Sequence, residues 1–124
     1  MNNHAETIEV KKVIQSYIDG TYEADIEKLK SVFHEKAVMN GYLGQDTILA
    51  DPAPFIEDIS SAPSMKSNYD PYQAEIESIY IEGNIASVIV SETGFRGTAS
   101  LVDLFHLIKT DGEWRIISKV FTTV

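Results

Sequence analysis

Two apolar runs joined by an Asp-Gly pair dominate the C-terminal part of the chain, which reads SLVDLFHLIKTDGEWRIISKVF over residues 100–121. An Asp-Gly pair between alternating apolar residues is the strongest short-range signal for a β-hairpin. Three ionisable side chains, Asp103, His106 and Lys119, interrupt these runs. Their direction decides whether the hairpin contributes polar groups to a site or presents them on an ordinary sheet surface.

The pairing of the two strands predicts the direction of each side chain. With Asp111-Gly112 as a regular two-residue turn, side chains alternate between the two faces of the hairpin. One face then carries Asp103, Phe105, Leu107, Lys109, Trp114, Ile116, Ser118 and Val120. The other carries Val102, Leu104, His106, Ile108, Arg115, Ile117, Lys119 and Phe121. This register places Asp103 on one face of the hairpin and His106 and Lys119 on the other face. It therefore excludes a site formed by all three side chains.

Both faces of the hairpin are apolar, whereas an antiparallel sheet with one wet side shows a clean alternation of apolar and polar residues. Helices can cover one face. A second copy of the chain is the natural cover for the other. We therefore expect a homodimer through the face that carries His106, Ile117, Lys119 and Phe121.

Three helices are predicted before the strands. Apolar residues recur at helical spacing from Val10 to Ile18, and Gly20 is expected to end this first helix. Asp25 is a good N-cap for the second helix, and Asp51, followed by a proline, is a good cap for the third. A short strand with the sequence EKAVMNGYLG lies between the second and third helices.

The strands follow a long connection at residues 60–73, which reads SSAPSMKSNYDPYQ. Connections of this length in a compact domain are often mobile or functional. Strands are predicted at 74–82 and 85–95, around a Gly83-Asn84 turn, and the hairpin completes the sheet. Helices first and strands afterwards predict an α+β domain, with the helices packed on one face of a strongly curved, mostly antiparallel sheet.

The Gly83-Asn84 turn also pairs two carboxylates, Glu75 and Glu92, on a face that carries Glu77. Like charges opposite one another destabilise a sheet. Two explanations stay open: this end of the sheet is well solvated, or one carboxyl is held neutral and can take part in proton transfer.

Length and charge narrow the classes of function. The 124 residues suffice for one domain, so we expect a single domain over residues 1–124. A formal net charge of −9 disfavours nucleic acid and membrane surfaces as partners. The absence of cysteine excludes a thiolate site, and no His, Asp or Glu set has metal-ligand spacing. We expect no metal, no cofactor and a cytoplasmic location.

The order of elements resembles the nuclear transport factor 2-like superfamily, also called the cystatin-like cone. The segments SVFHEKAVMNGYLG and DLFHLIKTDGEWRIISKVF are most similar to its SnoaL-like group, in particular to the family named for lumazine binding. This resemblance implies a cone with an internal cavity, toward which the strand face carrying Trp114 is turned. It identifies activity poorly, because the cone hosts isomerases, cyclases, hydrolases and non-catalytic binders.

The ketosteroid isomerases of this superfamily offer a finer comparison. Their tyrosine on the first helix, eight residues before an aspartate that opens the second, matches Tyr17 and Asp25. Their neutral carboxylic acid has Asp103 as its nearest counterpart by face. Gly41 stands where their general base belongs, and glycine cannot move a proton. The resemblance therefore implies a polar cavity and argues against steroid-isomerase chemistry.

Three residues are candidates for catalysis, and each has a structural alternative. Tyr17 is either a pocket donor or a core tyrosine bonded to the backbone. Asp103 is either a buried carboxyl with a raised pKa or a solvated residue at the end of its strand. His34 either acts in proton transfer or hydrogen-bonds the last carbonyls of the second helix. We expect the ligand-binding wall to comprise Tyr17, Phe33, Met39, Tyr42, Phe55, Ile59, Phe105, Trp114 and Ser118.

Three hypotheses about function follow. The first is a small-molecule-binding protein whose aromatic cavity takes a flat, pterin-like or polyketide-like ligand, with the loop around Tyr69 and Tyr72 as a rim or lid. The second is a SnoaL-like enzyme of the isomerase, cyclase or dehydratase type, with Asp103, His34 or Glu92 as the base. The third is a dimeric interaction module whose cavity is filled by its own side chains.

Overall fold

The computed structural model describes residues 4–124, which form three helices and one six-stranded sheet. In chain order the elements are α1 (His4–Glu23), α2 (Ile26–Val32), β1 (Phe33–Leu43), β2 (Asp46–Ala50), α3 (Ala53–Ser60), β3 (Gln73–Glu82), β4 (Ile85–Phe95), β5 (Ala99–Thr110) and β6 (Glu113–Thr123). The strand order is β2-β1-β6-β5-β4-β3, with β1 and β6 parallel and the other pairs antiparallel. The predicted α+β class is confirmed.

The first helix is longer than its pattern predicts. It continues through Gly20 to Glu23 and ends before Ala24, which has a positive φ of 55°. Gly20 serves close packing instead, because a Cβ atom there would lie 3.0 Å from Cγ of Leu29 on α2. None of the helices in residues 4–124 is long and apolar enough to cross a membrane.

Aspartate side chains accept hydrogen bonds at the start of the other two helices, although the N-cap of α3 is Pro52 and not the predicted Asp51. The Asp25 carboxylate accepts a hydrogen bond from the Lys28 backbone N–H at 3.1 Å. The Asp51 carboxylate accepts one from the Ala53 N–H at 2.8 Å, at the start of α3. Such hydrogen bonds satisfy backbone N–H groups that have no partner within the helix. Strand β2, between Gly44 and Asp51, was not predicted and extends the sheet beyond β1.

A β-bulge in β6 overturns the predicted parity of the hairpin. Leu107 pairs with Ile116, but His106 pairs with Ser118, so Ile117 is an extra residue in β6. An extra residue moves every later side chain of that strand to the opposite face. Lys119 therefore lies on the inner face with Asp103. The predicted separation of these two residues is wrong, and the same shift turns Phe121 inward and Ser118 and Val120 outward.

A second bulge, at Glu77 in β3, changes the surroundings of Glu92. Ala74 pairs with Glu92, and Glu75 pairs with Ser91. The predicted pairing of Glu75 with Glu92 is therefore wrong. Glu92 points to the inner face and is 3% exposed, which excludes the solvated explanation. Ser91 points the other way and donates a hydrogen bond to Glu77 at 2.6 Å.

Strands β1 and β6 approach one another so closely that position 41 has no room for a side chain. Gly41 pairs with Phe121 in the parallel ladder. A Cβ atom at Gly41 would lie 2.0 Å from the Phe121 carbonyl oxygen. Glycine is thus required here by sterics, in a strand interior that otherwise disfavours it.

The outer face of the sheet carries exposed apolar side chains. Leu104 is 46% exposed and Val120 44%, and Tyr80 and Ile85 are more exposed still. His106 and Ile117 belong to this face as predicted, whereas Lys119 and Phe121 do not. The homodimer through this face stays a prediction.

Substitution of an apolar residue by glutamate in the middle of the outer face tests the predicted dimer. We expect Leu104→Glu to place charge in the interface and to halve the mass measured by light scattering. Ile8→Glu is the matched control, because Ile8 is an exposed apolar residue on α1, away from the sheet's outer face. A wild-type chain with the mass of a monomer, or an unchanged mass for Leu104→Glu, would remove the proposed interface.

Candidate functional site

A cavity of about 210 Å³ opens between helix α3 and the inner face of the sheet. Its wall is mostly apolar, with two ionisable groups at the inner end and two aspartates near the mouth. The lining residues are Tyr17, Met39, Leu43, Ile48, Ala50, Asp51, Pro54, Phe55, Asp58, Glu92, Phe95, Leu101, Lys119 and Phe121. An apolar wall with a few convergent polar groups is typical of a small-molecule site.

Lys119 is the central polar group of the cavity, and its side chain is 5% exposed. Its Nζ atom donates a hydrogen bond to the Tyr17 hydroxyl oxygen at 2.5 Å and lies 3.6 Å from Oδ1 of Asp103. Three rings also surround the ammonium, with centroid distances of 4.9 Å to Tyr17, 4.9 Å to Phe55 and 5.0 Å to Phe121. The ring faces and the carboxyl group offset part of the cost of burying a cation.

Asp103 lies behind the cavity wall and is fully buried. Neither carboxyl oxygen accepts a hydrogen bond from the side chains or backbone of residues 4–124. Burial raises the pKa of Asp103 well above its ordinary value of 3.8, although the nearby Lys119 ammonium opposes this rise. The neighbouring Glu92 carboxyl group raises the pKa of Asp103 further.

The carboxyl group of Glu92 is hydrogen-bonded to a second tyrosine. The Tyr72 hydroxyl donates a hydrogen bond to Oε2 of Glu92 at 2.6 Å. Burial raises the pKa of both Tyr72 and Tyr17 far above the ordinary value, and the neighbouring carboxyl groups add to the rise. Both phenols therefore stay neutral. The inner end of the cavity thus holds two hydrogen-bonded pairs, Tyr72 with Glu92 and Tyr17 with Lys119, and the Asp103 carboxyl group lies near Lys119.

Aromatic rings hold the tyrosine of the first helix in place. Tyr17 stacks on Phe55 of α3 with ring centroids 5.9 Å apart and an interplanar angle of 20°. Phe105 and Phe33 contact the same ring edge-on, at 5.0 Å and 6.0 Å. One face of the Tyr17 ring therefore packs on Phe55 in the cavity wall, and the ring's edges lie in the core.

The expected ligand-binding wall divides into four groups. Tyr17, Met39 and Phe55 line the cavity. Phe33, Ile59 and Phe105 are buried in the core behind it. Tyr42 is 50% exposed on the outer face, and Ser118 also points outward, so the expectation is wrong for both. Trp114 is buried on the inner face but lies outside the cavity.

Trp114 and His34 have structural contacts of their own. The Trp114 ring N–H donates to the Glu6 carboxylate at 2.5 Å, and Lys109 bonds the same carboxylate at 2.7 Å. These bonds lower the pKa of Glu6 and join the start of α1 to the hairpin. Nδ1 of His34 accepts a hydrogen bond from the Lys36 backbone N–H at 3.0 Å. His34 therefore neither caps α2 through this nitrogen nor reaches the cavity.

The long connection contributes one residue to the site. Tyr72 reaches Glu92 and stacks on Tyr22 with ring centroids 6.0 Å apart. Tyr69 is 91% exposed and does not line the cavity. At the mouth, Arg96 of the β4–β5 turn binds the Asp58 carboxylate at 2.9 Å and so connects α3 to the sheet.

Lys119 was assigned to the outer face by the predicted register, and nothing in its sequence neighbourhood indicates the bulge. Glu92 was a candidate only through its expected clash with Glu75. Phe121 and Leu101 were not expected in the wall. The one available signal is that a lysine amid a mostly apolar run needs a partner, and Asp103 is the only carboxylate within strand β5.

Asp103→Asn tests the raised pKa of Asp103. The folded state binds a proton on this carboxyl group more tightly than the unfolded chain, because the folded pKa of Asp103 is raised above 3.8. The resulting stabilisation is complete below about pH 4 and is lost as pH rises through the folded pKa. We expect the wild type to lose melting temperature relative to the variant as pH rises above about pH 4. A difference independent of pH would contradict this assignment.

A family model and solved structures both match this chain. A family model described as "Putative lumazine-binding" matches residues 5–122. No curated protein matches the sequence.

Solved structures share the architecture. An NTF2-like protein of unknown function from Shewanella baltica has a TM-score of 0.86 at 21% identity, covering 100% of this chain and 98% of that one. Another, from Methylobacillus flagellatus, has a TM-score of 0.83 at 26% identity, with coverages of 98% and 94%. A ketosteroid isomerase-like protein from Erwinia carotovora atroseptica has a TM-score of 0.70 at 18% identity, with coverages of 98% and 98%. Since the family match spans nearly the whole sequence, the chain belongs to the family described as "Putative lumazine-binding", within the nuclear transport factor 2-like superfamily.

Proposed function

We propose that the protein binds a small, flat, mostly apolar molecule in the cavity between α3 and the sheet. The observation that carries the proposal is the combination of an apolar wall with two ionisable lining residues, Lys119 and Glu92. An open cavity of about 210 Å³ supports ligand binding over a scaffold filled by its own side chains. A dimer through the outer face is compatible with this function, because that face is on the other side of the sheet.

The polar groups of the cavity favour a ligand that carries both a hydrogen-bond donor and an acceptor. The Lys119 ammonium can donate to a carbonyl oxygen, and the Glu92 carboxyl can accept from a ring N–H. A cyclic amide edge, as in a pterin-like ring, presents both groups. Phe55 and Phe95 offer apolar surface to the ring. Asp51 and Asp58 at the mouth, with the net charge of −9, disfavour an anionic ligand.

Lumazine binding to matched tyrosine variants tests the proposal. We expect Tyr17→Phe, which removes a hydroxyl at the inner end, to weaken lumazine binding about tenfold, and Phe55→Ala to weaken it further. Tyr42→Phe is the control, because the same hydroxyl is removed on the outer face. Isothermal titration calorimetry measures the affinities. The proposal fails if neither lumazine nor other bicyclic heterocycles bind, or if Tyr42→Phe weakens binding as much as Tyr17→Phe.

Acid–base catalysis is the second candidate, and one observation favours it. Glu92 presents a carboxyl group to an apolar cavity and is held there by a hydrogen bond from the Tyr72 hydroxyl, which is a placement suited to a general acid or base. The similar structure from Erwinia carotovora atroseptica is described as ketosteroid isomerase-like. Gly41 cannot supply the base, so Glu92 is the group in position to accept a proton from a bound substrate.

The base-promoted ring opening of 5-nitrobenzisoxazole tests this candidate, because it needs only removal of a carbon-bound proton by a carboxylate and yields a coloured product. We expect Glu92→Gln to reduce the rate about 100-fold, the usual loss for a general base. Glu77→Gln is the control, because Glu77 faces the opposite side of the sheet. Equal rates for wild type and Glu92→Gln would eliminate Glu92 as the base.

A further inference from the structure

The amine of Lys119 is buried beside a cavity, unlike the amines of other lysines in residues 4–124. It lines the cavity, whereas the amines of Lys12, Lys28, Lys66 and Lys109 lie in ion pairs whose lysine side chains are 28% to 67% exposed. A primary amine inside an apolar cavity meets bound molecules at close range and with little competing water. Chemistry between this nitrogen and a bound ligand is therefore a separate question from ligand binding itself.

We propose that Lys119 captures an aldehyde or ketone in the cavity as an imine. The proposal rests on the proposed binding function and adds to it the chemical class of the ligand and a covalent bond to one named atom. Lysine amines form such bonds with carbonyl compounds when a neighbouring group can accept the ammonium proton. The reaction needs the Lys119 amine, the Asp103 carboxyl group 3.6 Å from it and the Tyr17 hydroxyl 2.5 Å from it.

The first step is loss of a proton from the Lys119 ammonium. Asp103 lies 3.6 Å from Nζ, so its carboxylate is the acceptor. Transfer converts a buried ion pair into two neutral groups, which relieves the cost of keeping charges away from water. The lone pair of the free amine then attacks the carbonyl carbon of the ligand.

The second step returns protons to the ligand. The carbonyl oxygen takes up a proton and becomes the hydroxyl of a carbinolamine, and the nitrogen loses one. The proton that Asp103 took from the ammonium then returns to this hydroxyl, which leaves as water while the nitrogen lone pair forms the C=N bond of the protonated imine. Tyr17, 2.5 Å from Nζ, is the hydroxyl beside the leaving oxygen. Amine and carbonyl compound give imine and one water, so no oxidant or reductant is consumed.

The three aromatic rings around Nζ of Lys119 stabilise the product of the reaction as well as the reactant. The rings of Tyr17, Phe55 and Phe121 lie about 5 Å from Nζ and stabilise a cation there. A protonated imine carries the same positive charge on the same nitrogen. The contacts that hold the ammonium therefore also hold the protonated imine, and the apolar wall keeps out the water that would hydrolyse it.

Reductive trapping with benzaldehyde on the wild-type protein tests the proposal. Sodium cyanoborohydride converts an imine into a stable benzyl amine, and peptide mapping by mass spectrometry gives the labelled lysine. We expect at least about tenfold more label at Lys119 than at Lys109, which serves as a partly exposed internal control. Lys119→Met should lose this label, and Tyr17→Phe should slow its appearance while leaving Lys109 unchanged.

Benzyl alcohol separates this proposal from the binding function, because it has a similar shape without the carbonyl group. Nuclear magnetic resonance of the Met39 methyl group reports occupancy of the cavity by either compound. Occupancy by both, with label at Lys119 no greater than at Lys109, overturns imine formation and leaves the binding function standing. Occupancy by neither, with no preferential label, overturns both. Preferential label at Lys119 that benzyl alcohol suppresses by competition supports both.

Discussion

Ile117 has no partner on strand β5, and this one unpaired residue reverses the direction of the side chains that follow it in β6. Without the bulge, Lys119 would be on the outer face and Asp103 would be a buried carboxyl with no cation nearby. With it, the ammonium lies 3.6 Å from the carboxyl group and between three rings. The polar end of the cavity therefore depends on a backbone irregularity in an otherwise regular hairpin.

A buried set of charged groups is an expensive feature for a domain of this size. Replacing a buried ion pair by apolar residues is often neutral or stabilising, so packing alone gives no reason to keep one. Tyr17 and Tyr72 satisfy part of the hydrogen bonding, yet both oxygens of Asp103 lack a donor within residues 4–124. Costs of this kind concentrate at functional sites, where stability is exchanged for reactive groups.

Local sequence signals predict the elements well and the site only in part. Asp25, Asp51 and the Asp111-Gly112 turn act over a few residues, and the structure has the helices and hairpin that they indicate. The bulges at Ile117 and Glu77 have no such signal, since neither position has the glycine that marks some bulges. The bulge at Ile117 depends on how β6 pairs with β1 and β5 at once, which involves residues far apart in the chain. Tyr17, Met39 and Phe55 could be found from helix and strand patterns, whereas Lys119 could not.

The tight contact between Gly41 and Phe121 also restricts how this cone could change its chemistry. In the isomerases that the sequence resembles, a carboxylate belongs at the place of Gly41. Here any side chain would collide with a backbone oxygen of the neighbouring strand, and a backbone oxygen cannot rotate away as a side chain can. Restoring an acid at that place would require β1 and β6 to move apart, which would disturb the ladder that carries Lys119. New reactivity is accordingly easier to acquire by altering β4 and α3, where the wall consists of side chains, than by altering β1.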